Sequence, residues 1–156
     1  TNGVGRALVR NRDDGKLGVS APAADTPVTK AGLRGVGKAA REAGTYGAAV
    51  LVKEIPGISA RKTLEAMEEM REQGAKAIAM MPVEDDRVRQ RINRFVREYE
   101  IPVVTFNSDL EGTGRLCFVG QHALRCGQTA AGLMGEFFRE RGGKSAVISG
   151  FASNTS

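Results

Sequence analysis

Residues 76–107 read "KAIAMMPVEDDRVRQRINRFVREYEIPVVTFN". The stretch opens on a short apolar run closed by Pro82, passes through Glu84, Asp85 and Asp86, and then places Val88, Ile92, Phe95 and Tyr99 at helical spacing. Acids at the start and arginines at the end are the distribution that a helix dipole favours. Arg87, Arg89, Arg91, Arg94 and Arg97 are therefore expected to face water. After Pro102 a second β-rich run begins. Two strands joined by a helix of this length can be neighbours only in parallel, through a crossover.

The same alternation extends in both directions. Upstream, "KLGVS" (16–20) reads as a first strand and "APAADTP" (21–27) as its exit, with Thr26 as a cap and Pro27 opening a helix. That helix, over 27–43, is expected to place Val28, Val36, Ala39, Ala40 and Ala43 on its inner side. "AAVLVKE" (48–54) is the second strand, and Ser59 caps a helix whose apolar side is Leu64, Met67 and Met70. Downstream, "RLCFVG" (115–120) is a fifth strand, followed by a helix over about 123–141 and by "KSAVISG" (144–150). The predicted fold is α/β, a doubly wound parallel sheet with helices on both faces, which puts function at the carboxyl ends of the strands. "AVISG" has no crossover after it in this sequence, and is expected to begin a second lobe.

Composition bounds the rest. The 156 residues, 41% of them hydrophobic, suffice for one core and the start of another. No apolar run is long enough to span a bilayer and no leader pattern opens the sequence, so the expected location is the cytoplasm, without membrane contact. The net charge of +5 suits an anionic partner, although arginines along helices ordinarily form a solvated face. Cys117 and Cys126 lack metal-ligand spacing and read as reduced thiols; no metal or cofactor is expected. "GVGKAA" (35–40) matches a dinucleotide fingerprint in letters only, because Gly35 lies inside a predicted helix, well past the first strand. With one histidine, His122, no nucleophile elbow and no carboxylate cluster, nothing supports an enzyme.

The strand ends carry Asp25, Asn107, Ser108, Asp109, Gln121 and His122. Side chains that both give and accept hydrogen bonds, held by a rigid sheet, suit a polyol. Asn107 to Asp109 also have the composition of a plain turn. With Ala24 beside Asp25, the predicted ligand-binding set is Ala24, Asp25, Asn107, Asp109, Gln121 and His122.

The order strand, "APAADTP", helix, "IPVVTFNSD", "FVGQHALRCGQTAAGLM", "GGKSAVISG" resembles the sugar-binding core shared by type I periplasmic binding proteins and LacI-type transcriptional regulators. The stretch from Val119 to Ala131 is its most specific part. The resemblance implies two similar lobes closing on a ligand: 16–121 as the first, and 122–156 as the crossover and the start of the second. The opening "TNGVGRALVRNR" separates the branches. Asn2, Arg6 and Leu8 match the hinge of LacI-type regulators, with Gly5 where that pattern has alanine, so that 1–15 would be hinge and linker. In that family the hinge leucines pry open a base step in the minor groove of operator DNA. The resemblance thus implies a dimeric, sugar-responsive regulator whose effector changes operator affinity; the alternative is the solute-binding protein of a sugar ABC transporter. One departure is His122, where the family commonly has aspartate.

Overall fold

The computed structural model describes residues 15–22, 27–139 and 142–147. Within them the chain alternates strand and helix: β1 (Lys16–Pro22), α1 (Pro27–Gly44), β2 (Ala49–Ile55), α2 (Ala60–Glu72), β3 (Ala75–Met80), α3 (Asp86–Arg97), β4 (Val103–Phe106), β5 (Cys117–Val119) and α4 (Ala123–Phe138). The five strands form one parallel sheet in the order β2-β1-β3-β4-β5. Register places Val19 beside Val52 and Ala79, and Phe106 beside Val119. The order reverses at β1, so β1 and β3 leave the sheet towards opposite sides of a crevice, the place where open α/β sheets bind ligands.

Alternation along β1 separates the two faces. Gly18 looks onto α2 so closely that a Cβ there would lie 2.6 Å from Met70 Sδ. Leu17 and Val19 look the other way, onto Val36 and Gly32 of α1. The core lies between the sheet and the α2–α3 layer: Met67, Met70, Ile78, Met80, Val88, Ile92, Phe95, Val103 and Leu110 are all buried. Each such side chain is worth about 1.5–3 kcal/mol on burial. Unbranched methionines fill the irregular space between helix and sheet, where a branched residue would leave gaps.

Local chemistry fixes the helix starts. Ser59 caps α2, its Oγ accepting from Lys62 N at 3.4 Å. Asp85 caps α3, accepting from Arg87 N at 2.8 Å while it pairs with the same residue's guanidinium at 2.7 Å. Those bonds, the side-chain one first, pull the Asp85 carboxyl down to about 2. Of the arginines of α3, Arg87, Arg94 and Arg97 are exposed, whereas Arg89 and Arg91 are about three-quarters covered; most are paired, Arg89 with Glu84 and Asp86, Arg91 with Glu68, Arg94 with Glu98.

Three expectations need correction. Val28 is 59% exposed; in the first turn of α1 it is Thr29, the next residue, that is buried. The helix expected to reach residue 141 ends at Phe138, and none of its residues is buried. Ala146 and Val147 of the last expected strand lie in no strand, with Val147 almost fully exposed. A parallel strand needs a neighbour to take its hydrogen bonds, and those two residues have none among the described residues.

Candidate functional site

At the carboxyl end of the sheet, β3, β4 and β5 deliver their exit loops side by side. Met81 N donates to Ser20 O at 3.1 Å, which ties the exit of β3 to β1 across the reversal point. Asn107, the first residue past β4, has φ of 64°, in the left-handed region that asparagine tolerates better than most residues. Its backbone N–H donates to Val119 O at 3.0 Å, so the chain turns sharply without leaving the sheet. Ser108 Oγ then donates to Pro82 O at 3.1 Å and fastens the β4 exit to the β3 exit.

Asp109 sits differently from its neighbours. Its Oδ1 accepts from Thr105 Oγ1 and from Leu110 N, both at 2.9 Å, and its Oδ2 pairs with Arg115 Nη2 at 2.5 Å. With about three-quarters of both side chains covered, this carboxylate is committed to holding the loop from β4 to β5. The side chain of Asn107, by contrast, is exposed and has no partner among the described residues, so its carbonyl and amide are both open.

The β5 exit supplies Gly120, Gln121 and His122. The tip of the Phe118 ring comes close to Gly120: a Cβ there would lie 2.2 Å from Phe118 Cζ, so any side chain would have to displace the ring. Gln121 is exposed, its Oε1 accepting from Cys126 Sγ at 3.8 Å. His122 is the N-cap of α4, its Nδ1 accepting from Arg125 N at 3.4 Å. With Nδ1 as acceptor, the neutral ring carries its proton on Nε2, which is a donor turned to solvent. Together these loops border a cleft of about 790 Å³ lined by Arg89, Asp109, Phe118, Gln121 and His122. Its one arginine is already spent on the chain: Nη2 on Glu84, Nη1 on Asp86, Nε on Glu111 O at 2.9 Å.

The fold therefore brings Asn107, Asp109, Gln121 and His122 to one end of the sheet. Ala24 and Asp25, and the hinge residues Asn2, Arg6 and Leu8, lie outside the described residues. Sequence reasoning missed the Thr105–Asp109–Arg115 tie, the left-handed Asn107 and the pressing of Phe118 onto Gly120. The signal for the tie was present in the alternation of β4, which turns Thr105 into the core beside Val103. Among the described residues no group of three or more His, Cys, Asp or Glu could hold a metal, and both cysteines are free and exposed. No helix among them is long and apolar enough to cross a membrane.

Residues 17–156 match a family model described as "Periplasmic binding protein domain". A search of curated protein sequences finds no match. Among solved structures, the chain is similar to an arabinose binding protein from Geobacillus stearothermophilus (TM-score 0.66, 23% identity), covering 81% of this chain and 42% of that one. A putative LacI transcriptional regulator from Bacteroides fragilis aligns with TM-score 0.70 at 12% identity, over 81% of this chain and 44% of that one. A sugar ABC transporter's sugar-binding protein from Bacillus halodurans aligns with TM-score 0.68 at 19% identity, over 80% and 41%. The chain thus spans less than half the length of the structures that it resembles.

Proposed function

The chain belongs to the periplasmic binding protein domain family, and from that premise we propose that it is the effector-binding half of a LacI-type, sugar-responsive transcriptional regulator without enzymatic activity. The observation that carries the binding role is the cleft at the ends of β4 and β5, bordered by the exposed Gln121 and His122, with the exposed Asn107 at the tip of β4. Asn107 and Gln121 each offer a donor and an acceptor, and His122 a donor. Ala24 and Asp25, which follow β1 in the sequence, complete the proposed ligand-binding set. Asp109 serves by holding the β4 exit in place, and also borders the cleft. Residues 16–121 would form one jaw, and 122–156 would lead into a second that closes on the ligand.

The regulatory part of the reading is supported by "TNGVGRALVRNR", with Asn2, Arg6 and Leu8 as hinge residues of a cytoplasmic homodimer, Leu8 entering the minor groove of operator DNA and Arg6 near its phosphates. Ligand binding between the jaws shifts the population of the DNA-competent arrangement. The test is operator affinity of the full-length protein with and without each of a panel of pentoses, hexoses and polyols. A sugar-dependent change is expected; sugar binding with no effect on DNA affinity would turn the reading to the second one, a receptor for sugar uptake. That second reading is favoured by the likeness to the arabinose and Bacillus halodurans binding proteins. A helix-turn-helix encoded upstream of Thr1 goes with the regulator, a signal peptide with the receptor.

A further inference from the structure

The cations of this chain are distributed unevenly. On α2 and α3 they are mostly paired: Arg61 with Glu65, Arg71 with Glu68, Arg87 with Asp85, Arg89 with Glu84, Arg94 with Glu98. α1 differs. It carries Lys30, Arg34, Lys38 and Arg41 against a single acid, Glu42, and all four cations are exposed. Among the described residues Arg34, Lys38 and Arg41 make no ion pair, although Glu42 stands four residues after Lys38. Elsewhere among the described residues the cations without an ion pair, such as Lys62, Lys76, Arg97 and Arg125, occur singly on separate elements.

Spacing turns these residues into one stripe. At about 100° per residue, positions 30, 34, 38 and 41 fall within an arc of about 80°, and they span about 16 Å of helix axis. The arc lies opposite the face that Gly32, Val36, Ala39 and Ala43 turn to the sheet. Its neighbours on the helix surface are Ala31, Gly37 and Glu42, none of which could insert into a lipid surface. A rigid row of exposed cations, three of which, Arg34, Lys38 and Arg41, make no ion pair among the described residues, fits the phosphates of an extended, stiff polyanion. The stripe also ends where the chain arrives from its amino-terminal segment: α1 closes at Gly44, and Gly15 O accepts from Ala49 N at 3.1 Å just beyond. The sequence ahead of Gly15 holds Arg6, Arg10 and Arg12.

We propose that the outer face of α1, through Arg34, Lys38 and Arg41, is a sequence-independent contact for the phosphate backbone of duplex DNA. It rests on the regulator reading only for the reason that a duplex lies near. Non-specific affinity needs neither operator nor effector, so it fails or stands separately from sugar response. The experiment measures binding of the chain to a labelled random-sequence duplex across a salt series, with Arg34→Gln/Lys38→Gln/Arg41→Gln as the variant. A control, Lys62→Gln/Lys76→Gln/Arg97→Gln, makes the same change in net charge. With about 0.9 counterions released per phosphate contact, the α1 variant is expected to lower the salt slope by about 2–3, so that wild-type binding weakens about 40-fold more than the variant's between about 50 and 200 mM salt. The control should keep nearly the wild-type slope. No duplex binding, equal loss in the control, or an unchanged slope in the α1 variant would each overturn the proposal. So would charge-dependent binding to phosphatidylserine vesicles in place of the duplex, or loss of self-association as the variant's only effect, which would assign the stripe to a membrane or to a second copy.

Discussion

Asn107 turns the chain at the tip of β4 with a backbone that most side chains adopt at a cost of about 1–2 kcal/mol. Asp109, two residues on, is what keeps that turn in place: Thr105, Leu110 N and Arg115 all converge on it. Asp109→Ala leaves a covered guanidinium and a buried threonine hydroxyl without their acceptor, and is expected to destabilise the fold by roughly 1–3 kcal/mol, read as a lowered Tm. A Tm within error of wild type would mean that the tie contributes nothing. His122 makes a separable case. Aspartate is a better helix cap than histidine and sits well at a helix N-terminus, so His122→Asp is expected to fold at least as well as wild type. It also replaces the outward Nε2–H donor with an acceptor, so the sugar preference should change. Calorimetry against a sugar panel that returns the wild-type ranking would leave His122 with a capping role alone.

At the level of elements, the order of strands and helices along the chain was legible because the apolar positions recur with a clean period and glycine or proline marks the changes: Ser59 is the expected cap, and Met67, Met70, Val88, Ile92 and Phe95 are buried. Val28 lies at the flank of the inner face of α1, and Thr29, a polar residue that an apolar pattern passes over, takes the buried place in that turn. α4 was placed correctly as a helix, yet Leu133 and Phe137 remain exposed, since an apolar face shows that something covers it without naming what. The close contact of β1 with α2 makes Gly18→Ala a direct test of that layer. The added methyl must displace Met70, and a loss of about 1–3 kcal/mol is expected in chemical denaturation. The Asp85 cap contributes a pH dependence. Its folded carboxyl titrates at about 2, below its ordinary 3.8, so its contribution is whole above about pH 4 and fades as pH falls towards 2. Between pH 5 and pH 3 the wild type should therefore lose more stability than Asp85→Asn; equal losses would remove Asp85 from the account.

For the molecule as a whole, the parallel doubly wound sheet followed from strand–helix–strand alternation alone, and with it the end of the sheet that holds the cleft. The strand order, and so the reversal at β1, was not legible, because several orders satisfy the same right-handed crossovers. Nor was the division of labour at the tips. Asn107, Asp109, Gln121 and His122 look alike as polar letters, and only coordinates separate a committed carboxylate from free amides. The central claim is that these tips take a small hydroxylated ligand. Its most direct test is a ¹⁵N–¹H correlation titration of the 156-residue chain with L-arabinose and a panel of pentoses, hexoses and polyols, which detects even the weak binding expected of a single jaw. Shifts confined to the amides around Asn107, Ser108, Gln121 and His122 are the predicted result; shifts at the amino ends of the strands, or none with any sugar, would contradict it.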